Sequence, residues 1–243
     1  MSKSYYLCQV ADLPPKLLSM PDQLRLDEAV EFAENPEPRC PCVLLLDTSG
    51  SMQGAPIDAL NEGLRALQTD LLQNSLAARR VEVAIVVFDS DVRVVQDFVT
   101  PDELELPVLT AQGLTCMGTG IHRALDMIQS RKAAYRAHGV AYYRPWIFLI
   151  TDGEPQGESE QLIEQVRQRI ETDEAEKRVA FFSVGVENAN LDRLKYISVR
   201  TPLRLNGLRF TEMFLWLSAS ITAVSHSRLD EQVALPPVGW GAT

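Results

Sequence analysis

Short apolar runs that alternate with amphipathic helical stripes constrain the fold of this chain more than any other feature. The apolar runs predict buried strands at residues 43–46, 81–88, 146–150 and 179–186. Apolar side chains at helical spacing predict helices around residues 56–71, 121–128, 162–170, 191–197 and 210–224. Strands that are apolar throughout and separated by helices are typical of a parallel sheet covered on both faces. The sequence therefore predicts an α/β fold: a doubly wound, mostly parallel, Rossmann-like sheet.

One strand departs from this pattern. Residues 92–99 alternate between apolar and polar side chains after a tight turn at Asp89-Ser-Asp91. Such alternation is typical of a half-exposed strand that pairs antiparallel with the strand before it. We therefore expect one antiparallel edge strand, and a last short edge strand at residues 202–205. The turn could also bind a cation, but the hairpin is the favoured interpretation.

The chain is predicted to divide into three parts. Residues 1–40 form an N-terminal extension that is rich in proline and acidic residues, with a short helix around residues 22–33. Residues 41–226 form the α/β domain. Residues 227–243 form a C-terminal tail that we expect to be loosely ordered.

Charge and hydropathy narrow the classes of partner. The 23 basic and 33 acidic residues give a net charge of −10. This argues against nucleic acid and anionic membranes as partners, because both attract basic patches. No apolar run approaches the roughly 20 residues of a membrane-spanning helix, and the first residues lack the apolar core of a targeting segment. We therefore expect a cytoplasmic location.

The cysteines suggest no site of their own. Cys40-Pro-Cys42 is the only close pair. One intervening residue is short for a zinc knuckle or a thioredoxin-type pair. We expect all four cysteines to be reduced and structurally ordinary, with a zinc site or a disulfide as the alternative.

A polar motif follows the first apolar run directly. Asp47-Thr-Ser-Gly-Ser51 places three oxygen-bearing side chains in the turn after the strand, from Asp47, Ser49 and Ser51. Open α/β sheets bind ligands here, beyond the carboxyl ends of their strands. Taken alone, the motif could also be a polar turn whose Ser or Asp caps the next helix.

Two later loops add further oxygen ligands. Thr115 lies in Gly113-Leu-Thr-Cys-Met-Gly118, and Asp152 follows the strand at residues 146–150. Because the loops after neighbouring parallel strands converge at one edge, all five side chains could surround one cation. Carboxylate and hydroxyl oxygens suit a hard cation, Mg2+ or Mn2+.

These elements resemble the metal-ion-dependent adhesion site (MIDAS) of von Willebrand factor A domains. The resemblance rests on the DxSxS motif that begins at Asp47, on Thr115 and on Asp152, and it extends over residues 42–226. The family's second loop reads Thr-x-x-Gly, which fits Thr115 with Gly118. Thr119 is the alternative, but it would require a glycine where this chain has His122. Within the superfamily, the chain is similar to the TerY-type proteins associated with tellurium resistance.

The resemblance implies a protein-binding domain that is not an enzyme. Ser49, Ser51 and Thr115 would hold the metal, with Asp47 and Asp152 binding it directly or through water. An acidic residue of a partner protein would complete the coordination. TerY-type proteins are associated with a protein kinase and a protein phosphatase, so the implied role is a scaffold or regulator in bacterial stress response. A metal-dependent hydrolase or phosphatase is the alternative, since an open metal site can activate water.

Overall fold

One sheet organises the computed structural model, which describes residues 9–10, 30–187, 189–229 and 231–242. Within these residues eight strands lie in the order β1-β4-β3-β2-β5-β6-β7-β8. The strands are β1 Gln9–Val10, β2 Cys40–Asp47, β3 Val81–Phe88, β4 Asp91–Val99, β5 Trp146–Thr151, β6 Ala180–Gly185, β7 Leu203–Leu205 and β8 Gly241–Ala242. The helices are α1 Ala55–Gln73, α2 Ser75–Arg80, α3 Met117–Ala137, α4 Glu160–Ala175, α5 Leu191–Ile197 and α6 Phe210–His226.

The strand pairing confirms the predicted fold class. The central strand β2 pairs parallel with β3 on one side and with β5 on the other. Strand β4 pairs antiparallel with β3, as expected, but the two-residue β1 lies beyond it. Of the helix predicted at residues 22–33, residues 30–34 are helical and residues 22–29 lie outside the described residues.

Helices cover both faces of the sheet because successive side chains of β2 point to opposite sides. Leu44 and Leu46 join one apolar cluster with residues of α1 and α6. Val43 and Leu45 join the other, with residues of α3, α4 and α5. Both faces of the sheet are therefore covered by apolar side chains, and the polar clusters described below lie where the parallel strands begin and where they end. None of the helices that the structure describes is both long and apolar enough to cross a membrane.

The C-terminal segment is more ordered than its sequence suggests. Gly241 and Ala242 add an antiparallel strand to β7. Trp240 is buried and stacks edge to face on Trp216, with ring centroids 5.6 Å apart. The Trp216 indole N–H donates to the Pro236 carbonyl at 2.9 Å. The aromatic pair holds a segment whose polar and proline-rich composition gives no strand signal.

The cysteines differ from one another. Cys40 and Cys42 are free and buried on the same side of β2. Burial raises the pKa of both thiols, that of Cys42 to about 12, so neither is a reactive thiolate at neutral pH. Cys116 is disulfide-bonded, in contrast to the expectation that every cysteine is reduced.

A buried ion network closes the edge where the parallel strands begin. Glu82 on β3 is fully buried, and its carboxylate contacts Arg39 Nε at 2.8 Å and Arg131 Nε at 2.9 Å. The Tyr135 hydroxyl also donates to Glu82. Arg131 pairs in turn with Glu31, so the network joins the segment before β2 to the sheet and to α3.

Replacing Glu82 with alanine is expected to lower the free energy of unfolding by about 3–5 kcal/mol, because two guanidinium groups lose their buried carboxylate. Urea denaturation measures the change. Glu171→Ala is the matched control, since Glu171 is exposed and pairs with Arg167 at the surface. The control should change stability by about 0.5 kcal/mol or less. Equal effects of the two substitutions would contradict a structural role for the network.

Candidate metal centre

The carboxyl end of β2 carries a buried carboxylate. Asp47 is fully buried, and its Oδ1 accepts a hydrogen bond from the backbone N–H of Ser49 at 2.8 Å. Its Oδ2 accepts one from the Thr151 hydroxyl at 2.5 Å. The carboxylate thus ties the turn after β2 to the end of the neighbouring strand β5.

The two serines of the motif extend from Asp47 towards Asp152. Residues Gly50–Met52 form a single 3-10 turn, which brings Ser49 Oγ and Ser51 Oγ within 3.1 Å of each other. Ser51 Oγ donates to Asp152 Oδ1 at 2.7 Å. The structure therefore brings Asp47, both serines and Asp152 into one connected cluster at the β2–β5 boundary.

Thr115 reaches the same cluster from the third loop. A Cβ placed on Gly153 would lie 3.4 Å from Thr115 Oγ1 and 4.0 Å from Asp47 Oδ2, so both oxygens approach the space beside this glycine. Thr119 instead directs its hydroxyl to Glu158, to which it donates at 2.7 Å. Of the two threonines, Thr115 is the one that the structure places beside the aspartates.

Side chains of helix α1 hold the loop that carries Thr115 through hydrogen bonds to its backbone. The Asn61 side chain donates to the Leu109 carbonyl and accepts from the Leu109 N–H, both at 2.9 Å. Gln68 donates to the carbonyls of Pro101 and Leu104. Near the site, the Gly50 N–H donates to the Gly113 carbonyl at 3.1 Å. These bonds fix a long loop with little secondary structure of its own.

Sequence reasoning missed Glu158, which joins two of the loops. Its carboxylate accepts hydrogen bonds of 2.7 Å from the N–H groups of Gly118 and Thr119, at the first turn of α3. A carboxylate is favourable at the positive end of a helix. Glu158 belongs to the loop after β5, which also carries Asp152, so it holds this loop against the start of α3. No residue spacing signals this contact, because Glu158 lies far from α3 in sequence.

Asp47 and Asp152 both have a raised pKa and, among the residues that the structure describes, no basic partner. Burial, with a smaller contribution from the nearby Asp152, raises the pKa of Asp47 to about 6 against the effect of its hydrogen bonds. Burial also raises the pKa of Asp152. No basic side chain within the described residues forms an ion pair with either aspartate. The two carboxylates therefore lack a compensating positive charge.

Asp89 shows the contrasting situation. Although burial raises the pKa of Asp89, bidentate hydrogen bonds of 3.1 and 2.5 Å from Arg93 outweigh this effect and lower it. The Asp89 N–H also donates to the Asp91 carbonyl at 3.0 Å, which closes the predicted hairpin turn. Arg93 already occupies the position that a cation would take at this turn.

The donor set fits a hard divalent cation. It consists of two carboxylates that lack a cationic partner and three hydroxyls, and such oxygen ligands are those preferred by Mg2+ and Mn2+. Across the described part of the chain, no three His, Cys, Asp or Glu side chains converge on one point. A metal at this site would therefore depend on the hydroxyls of Ser49, Ser51 and Thr115 as well as on the aspartates.

Comparison with known proteins supports this interpretation of the fold. Residues 42–207, more than half of the chain, match the family model of the von Willebrand factor type A domain. The chain belongs to the von Willebrand factor type A family. No curated protein matches its sequence.

Several solved structures share the fold of this chain. A von Willebrand factor type A protein from Catenulispora acidiphila superposes with a TM-score of 0.59 and 17% identity, over 76% of this chain and 43% of that one. The pilus adhesin SpaC of Lactobacillus rhamnosus GG in its open conformation superposes with a TM-score of 0.61 and 14% identity, over 78% of this chain and 31% of that one.

A third similar structure carries a metal. Proximal thread matrix protein 1 of the mussel byssus, with a zinc-occupied MIDAS motif, superposes with a TM-score of 0.55 and 16% identity. The alignment covers 76% of this chain and 48% of that one. This chain spans less than half the length of each of the three proteins, and at these identities the likeness shows the fold alone.

Asp47→Asn should stabilise the metal-free protein more at pH 7 than at pH 4. Because the folded-state pKa of Asp47 is raised from 3.8 to about 6, the wild-type protein loses stability as the pH rises through this interval. Asparagine does not titrate, so the stability difference between variant and wild type should grow by about 3 kcal/mol. Urea denaturation in EDTA measures it. A difference independent of pH would contradict the raised pKa.

Gly113→Ala should weaken metal binding, because a Cβ at residue 113 would overlap the Ser90 hydroxyl and displace the loop that carries Thr115. Gly139→Ala is the matched control. Both glycines have positive φ, at 73° and 67°, but a Cβ on Gly139 meets nothing within 4 Å. Both variants should lose about 1 kcal/mol from backbone strain, whereas only Gly113→Ala should change a calorimetric Mg2+ titration. Unchanged Mg2+ affinity in Gly113→Ala would show that the loop tolerates the displacement.

Proposed function

We propose that this protein is a metal-dependent protein-binding domain whose MIDAS is formed by Asp47, Ser49, Ser51, Thr115 and Asp152. The physiological metal is Mg2+ or Mn2+. In this proposal the domain acts as a scaffold or regulator and is not an enzyme. A carboxylate from the partner protein completes the coordination of the metal.

The observation that carries the proposal is the uncompensated pair of aspartates. Asp47 is buried, its pKa is raised, and Asp152 adds to the repulsion. Burying like charges without a counter-charge is costly, so a divalent cation between these residues would relieve a strain that is present without it. The contrast with Asp89, which Arg93 neutralises, supports a binding role for the aspartate pair.

The hydroxyl groups determine how a bound metal would behave. Ser49, Ser51 and Thr115 are neutral ligands, so they leave more of the positive charge of the metal uncompensated than further carboxylates would. Such a metal attracts a carboxylate at an open coordination position. Asp47 keeps the Ser49 N–H in place through its Oδ1, and Ser51 is held by Asp152, so the chain pre-orients both serines.

The names of two similar structures are consistent with this role. One neighbour is a pilus adhesin, and another has a zinc-occupied MIDAS motif. We extend to this chain only the idea of adhesion through a metal. The metal differs in our proposal, because a site made of oxygen ligands alone favours Mg2+ or Mn2+ over zinc, which prefers nitrogen and sulfur ligands.

The pathway is a further part of the proposal. The motif resemblance to TerY-type proteins suggests a cytoplasmic protein that works with a kinase or phosphatase in bacterial stress response, including tellurite or metal resistance. The alternative, a metal-dependent hydrolase or phosphatase, finds no specific support.

Thr115→Ala should lower Mg2+ affinity and abolish metal-dependent capture of the partner from a native bacterial extract. Removing one neutral ligand leaves the fold intact but leaves the coordination incomplete. Isothermal titration measures the first effect, and pull-downs in Mg2+ and in EDTA measure the second. Thr110→Ala is the matched control, since Thr110 is exposed on the same loop and should behave as wild type.

Two results would contradict the proposal. Mg2+ binding that is equal in the two threonine variants would place the metal elsewhere. Turnover of a phosphate ester that depends on Mg2+ and is lost in Asp47→Ala would favour the hydrolase.

A further inference from the structure

The loop segments around the proposed metal site carry charges of a single sign. We define the metal rim as residues 48–54, 110–116, 152–159 and 186–187. These segments contain no lysine, arginine or histidine. Their charged residues are all acidic: Asp152, Glu154, Glu158 and Glu187. Asp47 adds a fifth carboxylate at the centre of the rim.

Two of these carboxylates face solvent rather than the metal site. Glu154 is exposed and lies two residues after Asp152, so the two Cα atoms are at most about 7 Å apart. The Asn190 side chain donates to Glu154 Oε1 at 2.5 Å and fixes its position. Glu187 is also exposed, and the preceding Val186 N–H donates to the Thr151 carbonyl at 2.8 Å. Both carboxylates therefore lie on segments that adjoin the site.

The arginines that flank the rim are already engaged. Arg93 forms its bidentate contact with Asp89. Arg204 donates to the backbone carbonyls of Glu187 and Ala189. Arg204 offsets one rim charge, and a divalent metal offsets two more, yet acidic groups still predominate around the open face. Glu154 has no ion pair within the described residues.

The acidic rim opposes the approach of a partner carboxylate to the metal. A partner carboxylate is attracted by the metal but repelled by Glu154 and Glu187 as it approaches. Basic side chains beside that carboxylate would turn this repulsion into attraction. Acidic side chains beside it would increase the repulsion. The rim therefore selects by what flanks the carboxylate as well as by the carboxylate itself.

We propose that the partner presents its metal-binding aspartate or glutamate within a basic segment, with lysine or arginine close to it in the sequence. This inference rests on the proposed function, because it concerns the ligand of the same metal site. It defines the partner by its chemistry: a protein surface or tail with one carboxylate surrounded by basic residues. Strongly acidic partners are excluded even though they carry many carboxylates.

Selection from a displayed library of random peptides tests the inference. The full chain is immobilised in Mg2+ at low salt, and bound peptides are eluted with EDTA. We expect eluted sequences to contain Asp or Glu with Lys or Arg within about three positions. A synthetic peptide of this kind should bind Glu154→Lys/Glu187→Lys at least about tenfold more weakly than wild type. The difference should shrink at 0.5 M salt, where screening is strong.

A matched variant controls for net charge. Glu34→Lys/Glu103→Lys makes the same change in total charge at two exposed residues that line a groove at the opposite edge of the sheet. This variant should bind the peptide as wild type does. If both double variants lose affinity equally, the rim has no special role and the inference is overturned.

The remaining outcomes separate the inference from the function on which it rests. If EDTA elutes peptides whose carboxylates have neutral or acidic neighbours, the metal bridge stands and the basic partner is refuted. If EDTA elutes no peptide from the wild-type protein, the metal-dependent binding function itself fails, and the inference fails with it.

Discussion

The candidate site depends on the burial of one carboxylate at the end of the central strand. Asp47 ends β2, which has parallel neighbours on both sides. From there its two oxygens hold the Ser49 N–H and the Thr151 hydroxyl. These bonds shape the serine turn and dock it on β5. These hydrogen bonds offset only part of the free-energy cost of desolvating the charge. The pKa of the carboxyl group is therefore raised.

Buried carboxylates at the two ends of the parallel strands are in opposite electrostatic environments. Where the parallel strands begin, Glu82 is neutralised by Arg39 and Arg131, so that edge is closed and self-sufficient. Where they end, Asp47 and Asp152 are left without basic partners. The two aspartates without basic partners therefore lie together at one place. This is also where the strand order reverses and where open α/β sheets bind ligands.

Much of this organisation could be predicted from local pattern. Continuous apolar runs and helical stripes predicted the principal strands and helices. Most of the predicted ends agree with the structure to within one or two residues, because burial of a sheet on both faces leaves a strong pattern in the sequence. The motif at Asp47 was visible because its ligands are adjacent in sequence. Its use as a metal site is still a prediction. Two other contacts between distant segments gave no such signal, because they depend on tertiary packing alone: the clamp from Glu158 to the start of α3 and the packing of Trp240 on Trp216.

Anomalous X-ray diffraction from crystals of the protein grown with Mn2+ tests the proposed metal site most directly. We expect one strong manganese peak at the β2–β5 boundary, in contact with oxygens of Ser49, Ser51 and Thr115 and near the two aspartates. Manganese absent from this position at saturating concentration, or bound instead beside Asp89, would contradict the central claim that the uncompensated aspartate pair marks a metal site.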